Sequence, residues 1–182
     1  MGYAARVWIT VLVLLLGGAL LIGSAGASPA RSGHVQRLAT LEQGILEQVN
    51  GIRAAHGLRV LSVSSALESA AVNHSQSMLS GGFFRHESKD GSSFEARLRR
   101  FYPIAGFSRW AVGENLVYSS SSLSATAAVK AWLRSAPHRR DMLSAQWREV
   151  GIGALHSESA GGSFKQAAVW IVTMDFGSRS HG

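Results

Sequence analysis

Seven histidines and eleven acidic residues are the side chains of this 182-residue chain able to move protons or hold a cation. Their local spacing matches no standard catalytic pattern. His86-Glu87 opens like H-E-x-x-H, but position 90 is Asp, so the second imidazole is missing. Ser135 lies three residues before His138, a spacing open to a nucleophile and its base. A serine at a helix end before a Pro-His turn reads first as a cap. There is no G-x-S-x-G elbow, no P-loop and no dinucleotide-binding glycine pattern. Cysteine is absent, which excludes disulfides, thiolate metal sites and a thiol nucleophile. His74 falls on the apolar face of a predicted helix and reads as a packing residue.

The elements that must position these groups follow from hydrophobic period. Leu38, Leu41, Ile45, Val49 and Ile52 recur at steps of three and four, which predicts a helix stopped at Gly57. A second helix is expected from Ser65, with Glu68 as capping-box partner, to Gly81-Gly82. A third is expected from Ser92, with Glu95 as its partner, to Pro103. The glycine- and serine-rich stretch 105–122 reads as loop with a short strand. A fourth helix is expected from Ser124 to Leu133, with Pro137 interrupting it. Val150–His156 and Phe164–Phe176 read as two strands of a hairpin, the second with Phe164, Ala168, Trp170, Val172, Met174 and Phe176 on one face. Trp132 and Trp170 are both expected in the core. Helices first and strands last indicate an α+β fold.

Arg6 is the only charge before Arg31, and Val7 to Ile22 is apolar or small except for Thr10. This pattern predicts an export signal over residues 1–27, with Ala25-Gly26-Ala27 fitting the small-x-small cleavage rule. The alternative is an uncleaved anchor, since a bilayer needs roughly 20 apolar residues. Both place the rest of the chain outside the cytoplasm, and an uncleaved segment 7–27 would be its only hold on a membrane. Residues 28–40 read as linker and 41–178 as one domain. The net charge is +7, carried by 15 Arg and 3 Lys. Such a surface favours anionic polymers or lipid headgroups. Nucleic acid is not an expected partner, because the arginines form no long run and are not interleaved with aromatics.

A set of short motifs resembles the bacterial branch of the CAP family (cysteine-rich secretory protein, antigen 5 and pathogenesis-related 1). They are Asn50-x-x-Arg53 with Gly57-Leu58-x-x-Leu61, then Leu67-x-x-Ala70-Ala71-x-x-His74-x-x-x-Met78. Phe84-x-His86-x-Ser88-x-Asp90-Gly91 and Gly113-Glu114-Asn115 follow. Trp132-x-x-Ser135-x-x-His138-Arg139, Glu149-Val150-Gly151-x-Gly153 and Asp175-Phe176-Gly177 complete the set. The resemblance implies a three-layer α-β-α sandwich, a small and mainly antiparallel sheet between helices. It also implies a surface cleft where His86, Glu114, His138 and an acid meet, with Ser88, Asn115 and Ser135 beside them. The eukaryotic position for that acid is Ser135 here, and the bacterial one is Glu149. Two imidazoles and two carboxylates would suit a divalent cation such as Zn²⁺ or Mg²⁺, or a held water. The resemblance further implies a non-enzymatic binding domain of the bacterial envelope or medium, its ligand a lipid, an ion or a partner. The alternative is a metal-dependent hydrolase or peptidase using the same cleft.

Overall fold

The computed structural model describes residues 34–181, so the expected export signal or anchor lies outside the described residues. In chain order the elements are β1 (Val35–Arg37), α1 (Ala39–Ala55), β2 (Ser62–Val63), α2 (Ser65–Gly81), α3 (Phe94–Phe101) and β3 (Arg109–Ser119). Then follow α4 (Ala125–Arg134), α5 (Ala136–Met142), β4 (Glu149–Ala160) and β5 (Ala167–Ser180). The strands form one sheet in the order β1-β4-β5-β3, antiparallel throughout that path. β2 adds in parallel to the start of β4. Residues 35–37, expected in the linker, are thus an edge strand, and β5 runs on to Ser180.

Helices cover both faces and make the three layers. On one face, Ile45 and Val49 of α1 and Ala128, Val129 and Trp132 of α4 pack on Val150, Ala154, Val172, Met174 and Phe176. On the other lies α2, flanked by α3. There Gly151 and Gly153 matter, because a Cβ at Gly151 would stand 2.0 Å from the backbone of Leu67 and Glu68. At Gly153 it would stand 2.3 Å from Val72 N. The Gly-x-Gly of β4 therefore lets the backbone of α2 rest directly on the sheet.

Local chemistry shifts several boundaries. The cap of α2 is Ser64, without a side-chain bond, and Glu68 binds Arg37 instead of closing a capping box. Ser93, not Ser92, caps α3, its hydroxyl accepting from Ala96 N–H. The stretch expected to be mainly loop contains the 11-residue strand β3, paired along its length with β5. Pro137 begins a helix instead of only ending one, since a proline in the first turn loses no helical hydrogen bond. Phe164 belongs to a short 3-10 turn before β5 and packs with the α2-side cluster. Trp132 is buried, but Trp170 is only half-buried and stacks on His156 at 4.1 Å between ring centres.

The Asn50-x-x-Arg53 motif is a clamp. Asn50 donates to Leu61 O at 3.0 Å and accepts from Leu61 N–H at 2.8 Å. Arg53, fully buried, donates to Arg59 O, Met142 O and Ser144 O. It ties the end of α5 to α1. At the β4 edge, the short β1 and β2 leave a gap where Ala154 N–H donates to Glu42 Oε1 at 2.9 Å.

Candidate functional site

The site lies along β3, the sheet edge opposite β1. Alternation along β3 turns Glu114 toward the α2 layer, beside its cross-strand neighbour Asp175, and Asn115 toward the α5 side. The loop after α2 brings His86 to this edge, where His86 Nδ1 donates to Glu114 Oε1 at 2.8 Å. Arg97, on the buried face of α3, donates to the other oxygen of Glu114. It also donates to His86 O at 2.8 Å and reaches Ser88 Oγ at 3.5 Å. Both carboxylate oxygens of Glu114 are therefore engaged, inside a side chain with no exposure.

His138 arrives from the opposite side on α5. Asn115 Nδ2 donates to its carbonyl at 3.0 Å, fixing α5 against β3. Ser135 serves as the joint between α4 and α5, and Arg139 N–H donates to its carbonyl at 2.9 Å. Asp141, one turn after His138, borders a cleft of about 460 Å³ with His86, Glu114, Gln146 and Trp147. The Trp147 ring lies against Gly113, where a Cβ would stand 2.7 Å away.

The electrostatics couple these groups. The hydrogen bond to Glu114 raises the His86 pKa, while burial, then the charge of His86, lowers that of His138. Burial raises the Asp141 carboxyl against the pull of His138 and Arg140. Deeper in, burial and the adjacent Glu114 charge push Asp175 well above the usual carboxylate range. The Asp175 carboxyl lies against that of Glu114, its cross-strand neighbour.

Of the expected residues, His86 and Glu114 meet at the β3 edge, and His138 lies near enough for the charge of His86 to act on it. Glu149 stands apart. It lies on β4, with β5 between it and β3, and its carboxylate accepts from the Tyr102 hydroxyl with Arg179 4.0 Å away. The acid beside the imidazoles is Asp141, which the His138-x-x-Asp141 spacing on one helix face could have signalled. Arg97 and Asp175 were also missed as members of the site. Such a donor set does not fit a shared metal ion, because Glu114 is spent on His86 and a guanidinium and Glu149 is elsewhere. Among the described residues, no three His, Cys, Asp or Glu side chains are placed to hold one metal.

The chain belongs to the cysteine-rich secretory protein family: the family pattern matches residues 46–176. Among curated relatives, it is 33% identical over 114 residues to the uncharacterized membrane protein YlbC of Bacillus subtilis, covering 63% of this chain and 31% of that one. It is 30% identical over 119 residues to the uncharacterized protein YkwD of the same organism, covering 65% of this chain and 44% of that one. The chain thus spans less than half the length of these relatives. Among solved structures, an extracellular protein of Bacillus anthracis containing an SCP domain matches with TM-score 0.58 and 27% identity, over 76% of this chain and 40% of that one. An outer surface protein of Borrelia burgdorferi matches in fold, with TM-score 0.65 and 18% identity, over 81% of this chain and 99% of that one.

Proposed function

We propose that this domain works outside the cytoplasm by binding and not by catalysis, with an anionic envelope polymer or lipid surface as its partner. The observation that carries this reading is the state of Glu114. A metal-assisted hydrolase needs a carboxylate free to ligate or to take a proton from water. Here His86 and Arg97 occupy both oxygens. Export is supported by the charge-free segment after Arg6 and by relatives named as membrane and extracellular proteins. No described helix is long and apolar enough to cross a membrane.

A binding surface of exposed cations loses affinity with salt, because charges in water are screened over about 8 Å at physiological ionic strength. Pull-down of the purified chain on anionic vesicles and cell-wall fragments across a salt series is expected to show capture that fades with salt. Salt-insensitive or absent capture would overturn the electrostatic reading. Metal-dependent turnover of casein or wall polymer, abolished by His138→Ala, would overturn the non-enzymatic one.

A further inference from the structure

A second pocket, which shares Arg97 and Ser88 with the β3 edge site, lies between α2, α3 and the loop that joins them. It has a volume of about 350 Å³, and its walls include Lys89, Arg97 and Arg100 with the polar side chains of Asn73, Ser77 and Ser88. One acid, Asp90, is present, and its Oδ1 already accepts from Ser92 N–H at 2.9 Å and from Ser92 Oγ at 2.7 Å. Arg97 is matched by Glu114, but among the described residues neither Lys89 nor Arg100 forms an ion pair. The pocket therefore has an excess of positive charge and several hydrogen-bond donors.

Two of its residues are deeply buried and incompletely satisfied. His74 has no exposure, and Arg97 has 4%. Nε2 of His74 donates to Arg85 O at 3.0 Å, which leaves Nδ1 of the neutral ring as an acceptor with no partner. Nε of Arg97 is a donor with no partner. Buried polar groups in native proteins are rarely left so. A group that both donates and accepts, set in an anion, would answer both atoms as well as the cations at the rim. The P–OH of a singly protonated phosphate is such a group, whereas sulfate at this pH carries no proton.

We infer that the pocket between α2 and α3 binds a phosphate group, held at the rim by Lys89 and Arg100 and at the floor by Arg97 and His74. This rests on the reading of the domain as an anion-binding module and assigns that module a defined site. Inorganic phosphate and glycerol phosphate share the required chemistry with a phosphate-monoester lipid headgroup.

The test is calorimetric titration of the purified chain with inorganic phosphate near pH 6, about the second pKa of a phosphate monoester. One saturable site is expected, with sulfate weaker. Lys89→Gln with Arg100→Gln, both exposed positions, should weaken phosphate by about tenfold or more, as expected for lost charge-assisted bonds. Lys130→Gln with Arg134→Gln, on the opposite helical layer, should leave it unchanged. Capture on vesicles containing phosphatidic acid that free phosphate competes away would assign a lipid headgroup. Phosphate binding without vesicle capture would assign a soluble phosphate. Absence of a saturable site, equal binding of sulfate, or indifference to the Lys89 and Arg100 changes would each overturn the inference. Salt-sensitive polymer capture that survives in the double variant would leave the surface reading standing and overturn the pocket alone.

Discussion

The two faces of the sheet are built on opposite rules. Toward α1 and α4, β4 and β5 present Val150, Ile152, Ala154, Val172, Met174 and Phe176, a continuous apolar surface. Toward α2, the same strands present Gly151, Gly153, Thr173 and Asp175 beside Leu155 and Ile171, and β3 adds Glu114 and Leu116. The first face is filled by large side chains, Trp132 above all. The second is made thin by glycine, so α2 brings polar groups onto the strands. Ser75 donates to Gly153 O at 2.8 Å and pairs with Thr173, and His74 sits beside the Glu114–Arg97 pair. Both faces supply burial energy, and the α2 face in addition holds charges at fixed positions.

The sharpest way to break this contrast is to restore a side chain at the thin face. Gly151→Ala places a Cβ 2.0 Å from helix backbone, which cannot rotate away. We expect loss of about 4–5 kcal/mol or more, read as absent soluble protein or a collapsed thermal transition. Next come one deletion on each face. Trp132→Ala should cost about 3–5 kcal/mol through an apolar cavity. Glu114→Gln should cost a similar amount, about 3–5 kcal/mol, by leaving the Arg97 charge buried and unpaired. Denaturant titration of the two variants against wild type checks both. If Glu114→Gln is silent, the polar face does not depend on that ion pair.

A smaller effect sharpens the comparison by pH. Burial lowers the His74 pKa to about 4, so the folded state holds the ring neutral where the unfolded chain would protonate it. The unfolded state then binds more protons between about pH 4 and the ordinary histidine value of 6.5, so stability rises with pH across that window. The full change is of order 3 kcal/mol. The His86–Glu114 pair acts with the opposite sign, since the raised His86 pKa contributes stability at low pH that is lost as pH rises through that pKa. Melts from pH 4 to 6.5 should therefore show the positive slope diminished in His74→Gln. An unchanged slope would mean that His74 is not the titrating group. Smallest of all, Trp170→Ala should cost about 1 kcal/mol, the stacking on His156 and partial burial being all that is lost. A loss as large as that of Trp132→Ala would place Trp170 in the core after all.

The contrast also explains what could be read from the chain. Leu41, Ile45, Val49 and Ile52 serve an apolar face, and their period located α1 to within a few residues. Trp132 was legible as core for the same reason. Strand β3 was not, because its buried centre carries Gly113, Glu114 and Asn115 where alternation would demand apolar residues. Asp175, between Met174 and Phe176, hides in an apolar run, although an acid in mid-strand is itself a signal of a buried polar site. His86, Glu114 and His138 were reached only through motif resemblance, since three separate segments meet there and no local period records it. Glu149 was misplaced because the sheet puts two strand spacings between β4 and the β3 edge.

The Glu42 carboxylate at the gap in β4 has a consequence for how copies of this domain behave in a crowded solution. An open strand edge is a template for another chain, and long unprotected edges lead to polymers. Here the Ala154 N–H that an incoming strand would use is already occupied by Glu42, with Arg37 holding that carboxylate and Glu68 in place. A strand approaching this gap meets an anion instead of a free amide. The clasp thus acts as a gatekeeper, keeping the domain from adding itself, edge to edge, to its own kind.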